Sequence, residues 1–90
     1  METNLNGIRL QYVDLGSGPV ILLLHAFPLS GTMWRHQLTR LGGRYRLIVP
    51  DLRGFGATDA PPGPVSMDQY ADDAAALLAH LGVARAAVVG

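Results

Sequence analysis

Two hydrophobic periods alternate along the chain, and their order predicts its layers. Gly7-Ile8-Arg9-Leu10-Gln11-Tyr12-Val13-Asp14 alternates apolar with polar. That period puts Ile8, Leu10 and Tyr12 on one side of a half-exposed strand near a sheet edge, with Asp14 at the end of the same row. Gly16-Ser17-Gly18-Pro19 is a turn signal. Val20-Ile21-Leu22-Leu23-Leu24 is continuously apolar, as a central parallel strand covered on both faces must be. Met33, Trp34, Gln37, Leu38 and Leu41 then recur with helical spacing, and Gly42-Gly43 closes that element. Tyr45 to Val49 predicts a third strand stopped at Pro50. The prolines of Asp59-Ala60-Pro61-Pro62-Gly63-Pro64 exclude helix and central strand, so this segment reads as a crossover loop.

A well-marked helix follows over 66–81. Ser66 and Gln69 have capping-box spacing, and Met67, Tyr70, Ala71, Ala74, Leu77, Leu78 and Leu81 trace one face. Asp68, Asp72 and Asp73 are placed near its positive end. Gly82 ends the helix, and Ala86 to Val89 form the last strand. The resulting order is strand, strand, helix, strand, helix, strand. Helices that return the chain to parallel strands impose right-handed crossovers and cover both faces. The fold class is therefore α/β, a three-layer arrangement of a mostly parallel sheet between helices. No repeat or internal boundary divides residues 1–90.

Composition narrows the function more than the fold. The formal charge is zero, and the seven basic residues are all arginine, scattered without a stripe. Neither nucleic acid nor an anionic membrane surface is an expected partner. There is no cysteine, so neither a disulfide framework nor thiolate chemistry is available. The polar start Met1-Glu2-Thr3-Asn4 lacks the basic region of a secretory signal, and Val20 to Leu24 is too short to cross a bilayer. The default expectation is a cytoplasmic location. A chain this short buries only roughly 60–65% of its unfolded surface, so a thin core is expected.

Chemistry is expected where Leu24 leaves its strand, at the carboxyl edge on which open α/β sheets place ligands. His25 there is either a base or a hydrogen-bonding tie between loops, and the latter is the commoner use. Phe27 offers a backbone N–H that can stabilise negative charge whatever its side chain. Asp51, Arg53 and Asp59 surround the glycines Gly54 and Gly56. They read as an ion-paired surface loop ahead of an acid–base cluster or a metal site. Gly54-Phe55-Gly56 lacks the third glycine of a nucleotide loop, and the chain has no lysine for a phosphate-binding motif, so no cofactor or metal is expected. Trp34 is a candidate pocket residue or, more simply, part of the stripe that seats the first helix.

Three segments in sequence resemble the α/β-hydrolase family. His25-Ala26-Phe27-Pro28 is similar to its His-Gly-x-Pro segment, with Ala26 where glycine is commoner. Asp51-Leu52-Arg53-Gly54-Phe55-Gly56-Ala57-Thr58-Asp59 is similar to its Asp-x-Arg-Gly-x-Gly-x-Ser/Thr-Asp loop. Ala86-Ala87-Val88-Val89-Gly90 is similar to the strand that opens the nucleophile elbow, where the family places Gly-x-Ser-x-Gly or Gly-x-Asp-x-Gly.

The resemblance implies that Phe27 supplies one oxyanion-hole N–H. His25, Asp51, Arg53, Gly54, Gly56, Asp59 and Gly90 would be structural residues beside the site. It implies that the Val20 strand is central, between those beginning near Tyr45 and Ala86. It also implies that residues 1–90 are the amino-terminal portion of one hydrolase domain, with a partial α/β-hydrolase fold, inactive alone and completed by the remaining half of that domain. The implied activity is hydrolysis of a carboxylic ester, lactone or similar small acyl substrate by a serine beyond this chain. Two alternatives stay open: an aspartate-nucleophile dehalogenase or epoxide hydrolase, and a non-catalytic half-domain.

Overall fold

The computed structural model describes residues 1–90, and its sheet is built in the order β1-β2-β4-β3-β5. The strands are β1 (Glu2–Leu5), β2 (Ile8–Leu15), β3 (Val20–Leu23), β4 (Arg46–Pro50) and β5 (Ala87–Val89). A 3-10 turn (Gly31–Trp34) leads into helix α1 (Arg35–Leu41), and α2 (Met67–His80) precedes β5. β3 lies between β4 and β5 and is parallel to both, as expected of the continuously apolar run. β2 adds antiparallel to β4, and β1 antiparallel to β2, so the sheet is mixed, with its parallel part at the β5 side.

Successive strand residues face opposite sides, and the core divides accordingly. On one face Ile8, Leu10, Tyr12, Leu22 and Ile48 pack with Leu77 of α2, with Ala74, Leu78 and Leu81 against them. On the other, Leu23, Leu47 and Val49 meet Trp34, Leu38 and Leu41 of the 3-10 turn and α1. One helix thus covers each face. Only 13 of the 90 residues are buried, so the core is as thin as the chain length requires. The edge strand β5 is left with Val88 61% and Val89 43% exposed.

Local chemistry sets the boundaries of these elements. Ser66 Oγ accepts from Gln69 N at 3.1 Å, capping α2. Val83 N donating to Leu78 O and Gly82 N to Ala79 O close its far end in a Schellman pattern. Asp14 and Arg46 form a two-bonded ion pair at 2.7 and 2.9 Å between β2 and β4. Hydrogen bonds from Arg46, reinforced by its charge, hold the Asp14 carboxyl below the ordinary aspartate range although burial opposes this.

Three features depart from the periodic reading. β1 was not expected; it folds back through Asn6 (φ 48°) and Gly7 (φ 78°), consecutive left-handed residues of the kind a two-residue hairpin turn demands. The Gln69 side chain does not close a capping box, because it donates to Asp73 instead. Asp73 lies beyond the first turn of α2 and is 1% exposed, so it serves a buried ion pair and not the helix dipole.

Candidate active site at the carboxyl edge of the sheet

β3 and β5 run parallel and end side by side, with Leu24 N donating to Val89 O at 2.8 Å. The chain leaving β3 therefore emerges beside Gly90, whose Cα lies against Leu24: a Cβ built there would sit 3.7 Å from Leu24 Cβ. A cleft of about 410 Å³ opens at this edge. Leu24, His25 and Phe27 line it from the segment after β3, Leu52 and Phe55 from the loop after β4, Met67 and Tyr70 from α2, and Gly90 from just beyond β5.

His25 is 6% exposed, and both ring nitrogens are engaged. Leu52 N is 2.9 Å from Nε2, and Nδ1 is 3.1 Å from the Ala26 carbonyl oxygen. A backbone N–H can only donate, so Nε2 is the unprotonated acceptor, and Nδ1 carries the proton it gives to Ala26 O. The same carbonyl accepts from Leu29 N at 2.8 Å. In a planar trans peptide, C=O and N–H point in opposite directions. Two donors on Ala26 O therefore turn the Phe27 N–H away from His25 and Leu29, and that N–H has no hydrogen-bond partner within the chain. Phe27 is 83% exposed, and its ring meets Phe55 edge to face at 5.6 Å; Phe55 meets His25 likewise at 5.5 Å. The peptide bond between Phe27 and Pro28 is cis.

The loop over residues 51–59 is tied at several points. Asp51 accepts from Gly31 N at 2.8 Å and Ala57 N at 3.0 Å, joining it to the 3-10 turn. Gly56 (φ 53°) passes so close to Asp51 that a Cβ would overlap its carboxylate. Thr58 Oγ1 donates to Asp51 O and accepts from Gln11 N at 2.9 Å. Asp59 accepts from Arg9 N at 2.9 Å and lies 3.6 Å from its guanidinium, while Gly54 N reaches Asp59 O. Arg53 leaves the cleft and binds Asp73 of α2 through two hydrogen bonds of 2.8 and 2.9 Å. Burial alone would push the Asp73 carboxyl up; hydrogen bonds from Arg53, Asn6 and Gln69 and the Arg53 charge outweigh it and hold it low.

The structure thus gathers His25, Phe27 and Gly90 at one edge and uses Asp51, Arg53, Gly56 and Asp59 to hold the neighbouring loop. Trp34 is elsewhere: it packs under the sheet on Leu23, Leu47 and Val49 and does not line this cleft. No three His, Asp or Glu side chains converge to hold a metal ion, and no helix is long and apolar enough to cross a membrane. The ion pair of Asp73 carries no signal in the sequence because its partner is distant in the chain. Leu29 contributes a backbone N–H, for which there is likewise no signal.

Residues 19–90 match the family model described as the alpha/beta hydrolase fold. Epoxide hydrolase 2 of Siraitia grosvenorii is 48% identical over 88 residues, which cover 94% of this chain and 28% of that protein. A thermophilic esterase from Thermogutta terrifontis superposes with a TM-score of 0.83 and 48% identity, over 90% of this chain and 30% of its own. The epoxide hydrolase CorEH superposes with a TM-score of 0.96 and 36% identity, over 100% and 32%. The chain therefore spans about a third or less of the length of the relatives it matches.

Proposed function

The chain belongs to the α/β-hydrolase fold family, and we propose that it contributes the oxyanion segment of an enzyme hydrolysing a carboxylic ester, lactone or similar small acyl substrate. The observation that supports the oxyanion role is the Ala26–Phe27 peptide, whose carbonyl is held by His25 and Leu29 while its N–H is left unpaired at the cleft beside Gly90. In this reading a serine two places after Gly90 attacks the substrate carbonyl and gives its proton to a histidine later in the chain. The Phe27 N–H and the N–H following the serine hold the oxyanion. Collapse expels the alcohol, which takes that proton, and water then releases the acid from the acyl-enzyme. His25 is in this reading a structural residue and not the base, which the engagement of both its ring nitrogens supports. The partners of these ninety residues are then the substrate and the rest of the hydrolase domain.

A second reading is favoured by the epoxide hydrolases among the relatives. A carboxylate in the place of the serine would open an epoxide ring, and the ester so formed would be hydrolysed through the same oxyanion. The test compares p-nitrophenyl butyrate and styrene oxide as substrates of the full-length protein, with an organophosphonate that labels serine nucleophiles. Ester turnover abolished by stoichiometric labelling supports the first reading. Diol formation without labelling replaces it by the second. Neither activity in a folded protein overturns both.

A further inference from the structure

Met33 touches the oxyanion segment from outside the cleft. Its Sδ accepts a hydrogen bond from Ala26 N at 3.2 Å. We propose that the Met33 thioether is a positioning residue for the Phe27 N–H. This rests on the reading of Phe27 as an oxyanion donor. The rotation that swings the Phe27 N–H is the one about the Ala26 Cα–C bond, between two peptide groups. Met33 holds the first of these by its N–H, while His25 and Leu29 hold the second by its carbonyl. With both held, the rotation is set from either end. Alanine narrows it further, where glycine would leave it freer.

A methionine is a flexible anchor unless its base is fixed, and here the base is fixed three times. Met33 N donates to Ser30 O at 3.1 Å, Gly31 N donates to Asp51 at 2.8 Å, and the neighbouring Trp34 packs into the core under the sheet. The chemistry of the acceptor also suits the place. A thioether is a weak, neutral acceptor that occupies the Ala26 N–H without adding negative charge beside a developing oxyanion. A carboxylate at position 33 would hold the same N–H and oppose the charge being stabilised.

The test uses Met33→Leu and Met33→Gln in the full-length hydrolase, with rates expressed per site titrated by a tight transition-state analogue such as a trifluoromethyl ketone. Met33→Leu keeps the bulk and removes the acceptor; kcat is expected to fall about 3–10-fold with KM within about twofold, the size of one lost hydrogen bond. Analogue affinity should weaken by the same factor, and exchange of the Ala26 amide should quicken. Met33→Gln restores an acceptor and should recover most of kcat. Unchanged kcat and analogue affinity in Met33→Leu overturn the proposal, as does a Met33→Gln enzyme impaired as severely as Met33→Leu. Should Met33→Leu fail to fold, Met33→Gln decides alone: near-normal kcat per titrated site supports the proposal, and a loss overturns it. An analogue oxygen bound away from Phe27 N in the unmodified enzyme is a separate result, which defeats the oxyanion reading itself.

Discussion

Replacing Arg53 by methionine removes a cation and leaves a buried carboxylate behind. The side chains of Arg53 and Asp73 are 11% and 2% exposed, and they share two hydrogen bonds at 2.8 and 2.9 Å. Breaking a pair buried to this degree costs about 3–5 kcal/mol. Asn6 and Gln69 still donate to Asp73 in the variant, so the expected loss at pH 7 is nearer ~2–4 kcal/mol. In a protein of the relatives' length, about three times that of this chain or more, that is a fall in Tm of roughly 3–7 °C.

The loss should depend on pH in a defined direction. In the unmodified protein the folded Asp73 carboxyl is held low, so it contributes stability above the unfolded pKa that is lost as pH falls through the folded one. Without Arg53, burial is expected to raise the folded pKa above the unfolded value, so the variant gains relative stability as the carboxyl protonates. The variant's trend shrinks the difference as pH drops from 7 towards about 4, and the unmodified protein's own loss shrinks it further below about 4. Thermal melts of both proteins across this range, with Asp73→Asn and the double variant to complete a cycle, measure it. A destabilisation below about 0.5 kcal/mol, which is ordinary for a surface position, or one that does not change with pH, would mean that Asp73 does not depend on Arg53.

Three further outcomes follow from the same contacts. Gly56→Ala should cost more than Gly54→Ala by about 1–2 kcal/mol in thermal melts. Both glycines have positive φ, but only at Gly56 would the Cβ displace Asp51 from Ala57 N. Phe27→Leu in the full-length enzyme should keep kcat within about threefold, whereas His25→Ala should lower it about 10–100-fold at similar KM, since the variant removes one of the two donors on the Ala26 carbonyl and the acceptor that ties Leu52 N to this segment. Equal effects of the two substitutions would contradict that division of roles. The ninety residues alone should show no ester or epoxide turnover and should associate with rising concentration in light scattering. β5 is an edge strand with Val88 and Val89 exposed, and such edges template pairing between chains.

The layers were legible because burial imposes period. Ile8, Leu10 and Tyr12 alternate against one face, and the uninterrupted Val20–Leu23 run marks the strand flanked on both sides. The turn pair Asn6-Gly7 also carried a signal: two left-handed residues point to a hairpin, although β1 itself, Glu-Thr-Asn-Leu, is too polar to register as a strand. Asp73 was opaque for a different reason. A carboxylate on the buried side of α2 makes sense only once Arg53, twenty residues earlier, is folded against it. Trp34 and Met33 show the limit of a helical stripe. They are adjacent in sequence, yet one enters the core and the other turns to the backbone of Ala26. Phe27 is informative through an N–H every residue except proline possesses, so only the motif around it pointed there.

The role proposed for the Ala26–Phe27 peptide is to present its N–H to an oxyanion. A structure of the full-length enzyme with a tetrahedral transition-state analogue tests it most directly. The anionic oxygen is expected at roughly 2.7–3.1 Å from Phe27 N, with the Ala26 carbonyl still held by His25 and Leu29. A peptide turned over, with Phe27 N bonded within the chain and the oxygen held elsewhere, would contradict it.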